Sequence, residues 1–85
     1  MSIQVLAGYY STMEDTFKIR SYGFQELATL YLPNIQPKSA SIRLRAWIER
    51  NTGLKEKLKT LGFQKGIKIL TPEMVREITL IIGEP

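Results

Sequence analysis

Residues 38–50 read KSASIRLRAWIER, and the predicted fold is organised around this stretch. At about 100° per residue, its apolar side chains fall on one side of an α-helix: Ala40, Leu44, Trp47 and Ile48. The arginines and the small polar side chains fall off that stripe. The pattern therefore predicts a helix that docks on a core with one side and presents guanidinium groups to a partner with the other.

The residues before this helix predict a short strand and a first helix. In TFKIRS (16–21) Phe17 and Ile19 alternate with basic residues, which is typical of a strand, and Tyr22–Gly23 would then turn the chain. Helical spacing predicts the buried side of the first helix: Phe24, Leu27, Leu30 and Tyr31. Pro33 ends this helix, because a proline forces the preceding residue out of the α region.

The residues after it predict two more helices and a strand. Ser39 or Ser41 can cap the central helix, and Asn51–Gly53 would end it. Leu54, Leu58 and Leu61 give the third helix its inner side, with Gly62 as a left-handed terminator and Phe63 folding back onto Leu58. The triplet TPE at 71–73 combines an N-cap, a first-turn proline and a first-turn acid, and so predicts the start of a last helix. Its apolar side comprises Met74, Val75, Ile78, Ile81 and Ile82.

Together these elements predict a mainly α, winged helix-turn-helix-like bundle. Its four helices would cover about 24–31, 39–50, 54–61 and 72–82, with short strands near 17–20 and 67–70. We expect residues 13–85 to form one domain and residues 1–12 to be an N-terminal extension, either a strand or poorly ordered. The apolar run at the start is too short for a signal peptide, and no stretch reaches the roughly 20 apolar residues of a membrane span, so we expect a cytoplasmic protein.

Composition argues against catalysis. The 85 residues contain no cysteine and no histidine, so thiolate nucleophiles, the commonest metal ligand and the commonest general base are all missing. The sequence has neither a glycine-rich phosphate loop nor a GxSxG elbow. We therefore expect no enzyme activity, no cofactor and no metal.

Positive charge is concentrated in the middle of the chain. Residues 38–68 hold nine Lys or Arg against two Glu, whereas acids outnumber bases on both sides of this segment. Such a distribution is expected when one face meets a polyanion, of which a phosphate backbone is the usual case. A lysine-rich solvated surface would give the same count.

Two classes of partner follow from the central helix. If it enters a DNA major groove, the candidates for base edges are Ser39, Ser41, Ile42, Arg43 and Ala46. The candidates for phosphate contacts are Lys38, Arg45, Arg50, Lys65 and Lys68. Alternatively the chain is a small protein–protein interaction module, a homodimer or part of a larger assembly, in which Ile42, Ala46 and the N-terminal apolar segment pack on a partner chain.

The residue pattern also resembles known families. A set of residues spread over 21–85 forms a pattern: Ser21-Tyr22-Gly23, Glu26-Leu27-Ala28, Leu30-Tyr31, Pro33, Leu44, Trp47-Ile48, Asn51, Leu58, Gly62, Thr71-Pro72, Val75, Ile78 and Gly83-Glu84-Pro85. With these residues Phe17–Pro85 resembles an uncharacterised family of short proteins from Bacteroides-type bacteria. More distantly, ELA…LRxWI…G…LTPEMVREI resembles MerR-like and excisionase-like winged helix-turn-helix proteins. That likeness implies a recognition helix after the ELA helix and then a wing, with the helix at 54–61 as an insertion.

Overall fold

The computed structural model describes residues 17–85, which form four helices and a two-stranded antiparallel sheet. In chain order the elements are β1 (Tyr22–Gly23), α1 (Phe24–Tyr31), α2 (Pro37–Arg50), α3 (Thr52–Thr60), β2 (Ile69–Leu70) and α4 (Pro72–Ile82). The predicted mainly helical architecture with four helices is confirmed. The predicted extension over residues 1–12 lies outside the described residues.

One core joins all four helices to the sheet. Among the described elements the contact between α1 and α2 is the most extensive, and Ala28 of α1 and Ala40 of α2 are both fully buried. The buried apolar side chains are Tyr22, Phe24, Leu27, Ala28, Ala40, Leu44, Ile48, Leu54, Leu58, Phe63, Leu70, Met74, Val75 and Ile78. Trp47 packs at the margin of this core, in agreement with its predicted structural role.

The sheet is shorter than predicted, and only its second strand lies within the range that was predicted. Residues 17–20 form no strand, and the residues expected to turn the chain are β1 itself, pairing Tyr22 with Leu70 and Gly23 with Ile69. The alternation in TFKIRS was misleading because Phe17 stacks on the Tyr22 ring at 5.3 Å between centroids, whereas Ile19 is 39% exposed. The second strand is limited to 69–70, since residues 64–67 form a turn closed by a bond from the Ile67 N–H to the Gln64 carbonyl.

Helix α2 starts earlier than either predicted serine cap. Pro37 is the first helical residue, where its fixed φ suits the helix and its missing N–H is not needed. The Gln36 carbonyl accepts the first bond, from the Ala40 N–H at 2.8 Å. Ser39 and Ser41 therefore lie inside the helix, with their side chains available for other contacts.

A single residue separates α2 from α3. The predicted stop at Asn51–Gly53 is confirmed only in its first residue, because α3 already begins at Thr52. The Asn51 side chain accepts a bond from the Leu54 N–H at 2.9 Å, so this asparagine caps the following helix while ending the preceding one. This sharp junction turns α3 back along the last turn of α2.

The ends of α3 and α4 follow local sequence rules. Gly62 has φ +103°, the Phe63 N–H bonds to the Leu58 carbonyl at 2.9 Å and the Gly62 N–H to the Lys59 carbonyl at 3.0 Å, which confirms the predicted Schellman turn. The helix stops at Thr60, one residue before the predicted end. At α4 the Thr71 hydroxyl accepts a bond from the Met74 N–H at 3.3 Å, so the predicted cap is confirmed.

Two predicted core residues are exposed. Leu30 is turned away because Ala28 and Tyr31 take the core-facing positions of α1. Ile81 lies in the last turn of α4, where Ile82 packs against the core instead. Tyr31 closes this end of the molecule: its ring meets Trp47 edge-on at 6.1 Å, and its hydroxyl donates to the Gly83 carbonyl.

Candidate nucleic-acid interface

Arg45 is held against an aromatic ring. Its guanidinium carbon lies 4.5 Å from the centroid of Phe24, the first residue of α1, and the side chain is half-buried. A guanidinium over a ring face gains a cation–π attraction, and its aliphatic stem covers apolar surface. Contact between α1 and α2 therefore fixes one cation of the central helix in a defined place.

On one side of Arg45 lies a cleft of about 390 Å³, which we call the sheet cleft. It is lined by Gly23, Phe24, Gln25, Glu26, Ser41, Arg45, Gly66, Ile67 and Lys68. Sheet pairing continues here, since the Phe24 N–H donates to the Lys68 carbonyl at 2.7 Å. That bond holds the 61–68 loop beside α2, so Lys68 and Arg45 border the same concavity.

On the other side of Arg45 lies a second cleft of about 460 Å³, the α3 cleft. It is lined by Arg45, Glu49, Lys55, Lys59, Phe63, Gln64 and Lys65. Four of these side chains are cations and one is an acid. The turn at Asn51 places α3 alongside the end of α2, and the Schellman turn at Gly62 returns the chain so that Lys65 closes the cleft.

The single acid of the α3 cleft is paired. The Lys55 ammonium nitrogen lies 2.7 Å from Glu49 Oε1, and this hydrogen bond is the main cause that lowers the pKa of Glu49 below its usual value. Attraction to Lys55, Arg45 and Lys59 acts in the same direction. The same bond raises the pKa of Lys55. Both groups are therefore charged at neutral pH, and the cleft keeps a net positive charge.

The acid of the sheet cleft, Glu26, is also hydrogen-bonded within the protein. Glu26 Oε1 accepts the Gly23 N–H at 3.0 Å, and this bond, followed by the one from Arg20 at 3.3 Å, lowers the pKa of Glu26. Glu26 thus caps the N-terminus of α1 through the backbone N–H of Gly23. Its charge is shared with Arg20, which leaves Lys68 and Arg45 as the cations that face the opening.

The structure brings together some of the predicted contact residues. Ser41, Arg45 and Lys68 border the sheet cleft, while Lys65 borders the α3 cleft. Arg43 does not join them, because two residues at about 100° each place it about 160° around α2 from Ser41. Ile42 lies between these flanks and is 62% exposed, with Ala46 one turn further along the helix. The remaining predicted side chains, Lys38, Ser39 and Arg50, are exposed on α2.

Sequence reasoning missed part of this arrangement. Phe24 was predicted only as part of the core, and Lys55 and Lys59 were not among the predicted phosphate contacts. The usable signal was Asn51, a good N-cap directly after α2, since it implies an immediate turn that sets Lys55 against Glu49. The contact between Arg45 and Phe24 had no local signal, because 20 residues separate them along the chain.

Some other kinds of site are absent from the described part of the chain. Within residues 17–85 no three acidic, histidine or cysteine side chains come together as metal ligands would. No helix in the same range combines the length and apolarity needed to cross a membrane.

Comparison with other proteins identifies a family. No curated protein and no solved structure matches the chain. A family described as domain of unknown function (DUF4248) matches residues 18–85, which covers all the helices, both strands and both clefts. The chain belongs to this family of unknown function.

Proposed function

We propose that this protein binds double-stranded DNA as a winged helix-turn-helix, in a transcriptional or architectural role within a bacterial cytoplasm. In this proposal α2 enters the major groove and the 61–68 loop acts as a wing along the phosphate backbone. The observation that carries the proposal is the meeting of Arg45 from α2 with Lys68 and Lys65 from the loop. Cations from two separate elements on one face are what a continuous line of phosphates requires.

The shape of the first two helices supports the same reading. Residues 32–36 connect α1 to α2, and α1 packs against α2, with Ala28 and Ala40 fully buried. The opposite side of α2 is left uncovered by the described residues. A major groove about 12 Å wide admits one helix, so α2 could enter with Ile42 foremost.

Each side chain of α2 then has a distinct role. Ile42 and Ala46 would meet thymine methyl groups, Arg43 would read a guanine edge, and Ser39 and Ser41 would bond to base edges on either flank. Lys38, Arg45 and Arg50 would contact phosphates, which position the helix without reading sequence.

One observation favours a second candidate, a protein-interaction module. Ile42 exposes 62% of its surface at the centre of the open side of α2, where a partner chain could cover it. Binding through this residue would be mainly apolar and would change little with salt. Salt dependence therefore separates the two candidates.

The experiment is a mobility-shift assay with duplex DNA at about 50 and about 200 mM salt, on the wild type, Arg43→Ala and Lys57→Ala. If four of the five candidate cations contact phosphates, binding should be roughly 100-fold weaker at the higher salt. Arg43→Ala should lose sequence preference, and Lys57→Ala should match the wild type. If the wild type gives no shift even at the lower salt, the DNA proposal is wrong.

A further inference from the structure

The α3 cleft carries more positive charge than its own acid can balance. Arg45, Lys55, Lys59 and Lys65 converge on it from α2, α3 and the 61–68 loop, with Glu49 as the one acid in its lining. Like charges that approach in a concavity repel one another, so an arrangement of this kind is stabilised by an anion.

We propose that the α3 cleft binds a phosphate group, and that Glu49 competes with this group for Lys55 in the free protein. The phosphate could belong to a DNA backbone or to a free phosphorylated small molecule, since both present anionic phosphoryl oxygens. A cleft of about 460 Å³ has room for a phosphate and an attached organic group.

The lining of the cleft suits this ligand. Arg45 is held in place by Phe24 at 4.5 Å, so little freedom is lost when its guanidinium meets a phosphate. Phe63 is almost fully buried and forms apolar lining, while the Gln64 amide adds a polar group. Binding would thus combine one oriented fork of donors with mobile ammonium groups.

Glu49 sets the strength of the site. Its side chain is 53% exposed and that of Lys55 38%, so the ion pair between them is accessible to water and readily exchanged. A phosphate monoester carries more charge than a carboxylate, and the singly charged phosphates of a DNA backbone act as a closely spaced row; either ligand could displace Glu49 from Lys55, after which Glu49 turns outward. In this scheme Glu49 weakens phosphate binding, although it lies among the residues that create the site.

This inference does not rest on the proposed function. A free phosphorylated ligand would use the same cations in a protein that never meets DNA. The two ideas share Arg45 and Lys65, whereas Lys55, Lys59 and Glu49 belong to the present one alone.

The first test is titration of the full chain with tripolyphosphate, followed by calorimetry and by the backbone amide signals of residues 55–65. We expect binding that Lys59→Ala weakens several-fold and that Lys57→Ala leaves unchanged. Lys57 is the matched control because it lies on the same helix, about 160° around from both Lys55 and Lys59. Absence of binding, or an equal loss in the two variants, would overturn the inference.

The second test uses a substitution that should raise the affinity for tripolyphosphate instead of lowering it. Glu49→Gln should bind tripolyphosphate several-fold more tightly, since the competing carboxylate is removed. Glu84→Gln makes the same change in net charge outside the cleft, beside Tyr31, and should change the affinity little. If both variants bind equally tightly, net charge alone explains the result and the competition by Glu49 is refuted.

The third measurement identifies the source of the phosphate. If a DNA backbone fills the cleft, Lys59→Ala should reduce the salt slope of DNA binding by about 0.9. If the tripolyphosphate pattern holds while DNA binding is absent or its slope is unchanged, the cleft serves a free phosphorylated ligand. In the case of absent DNA binding the proposed function fails and the phosphate site stands.

Discussion

Arg43 and Arg45 are two residues apart on the same helix, and the structure treats them differently. Arg45 lies over the Phe24 ring, half-buried between two clefts, with the 61–68 loop beside it. Arg43 lies on the other flank of α2 and is exposed. Of two side chains of the same type, Arg45 is therefore fixed by packing, whereas Arg43 can adjust its conformation to a partner. In the proposed function Arg45 positions a polyanion and Arg43 reads it.

The largest expected change in the free energy of unfolding comes from truncating the buried residue between the two arginines. Leu44 lies between them and is fully buried, so Leu44→Ala should lower the free energy of unfolding by about 2–5 kcal/mol through lost contacts and a cavity. Urea denaturation measures this change. Ile42→Ala, on the exposed side, should stay within about 0.5 kcal/mol of the wild type. Similar losses in the two variants would contradict the assigned orientation of α2.

The next largest effect comes from a substitution in the 61–68 loop, which lies on the Arg45 side of α2. Gly62 has φ +103°, and an added Cβ would meet only Met74 Cε at 3.8 Å, so Gly62→Ala costs backbone strain alone, about 1–2 kcal/mol. Gly53→Ala is the matched control: this glycine lies in the first turn of α3, where alanine should stabilise by up to about 1 kcal/mol. Thermal unfolding of both variants gives the comparison, and a neutral Gly62→Ala would refute the Schellman turn.

A smaller effect separates the two arginines directly. Arg45→Ala should lower the free energy of unfolding by about 1 kcal/mol, because the contact with Phe24 and the cover of its stem are lost. Arg43→Ala should lie within about 0.5 kcal/mol of the wild type. Chemical denaturation of the pair is sufficient, and equal values would mean that Arg45 is no more fixed than Arg43.

The smallest effect concerns pH. Glu49 has a lowered pKa in the folded protein, so its contribution to stability is present above the usual carboxyl pKa and is lost as pH falls through the folded value. The melting temperature of the wild type should therefore fall slightly more between about pH 5 and pH 3 than that of Glu49→Gln. Parallel curves for the two proteins would show that the pair with Lys55 adds no measurable stability.

What the sequence predicted well was local. The Schellman turn at Gly62 and the cap at Thr71 depend on residues within one helical turn, and both are confirmed. The prediction of a strand at 17–20 was wrong. It relied on the alternation of side chains within one segment, whereas the observed pairing of Tyr22 with Leu70 depends on how the helices bring distant residues together.

The same limit applies to the candidate site. The basic residues of α2 and of the 61–68 loop could be picked out by charge, but not sorted into flanks. Arg45 acquires its place from Phe24, and Lys55 becomes part of a cleft because Asn51 turns α3 back along α2. The position of Arg45 arises from tertiary packing, which no single stretch of the sequence encodes, whereas the turn of α3 has a local signal in the Asn51 cap.

We propose that the cations gathered around Arg45 contact phosphates, and the salt dependence of duplex binding measures such contacts. The slope of log K against log salt should be less steep in Lys68→Ala than in the wild type by about 0.9, and unchanged in Lys57→Ala. Lys68 borders the sheet cleft with Arg45, whereas Lys57 lines neither cleft. Equal slopes in all three proteins, or no binding by any of them, would contradict the claim.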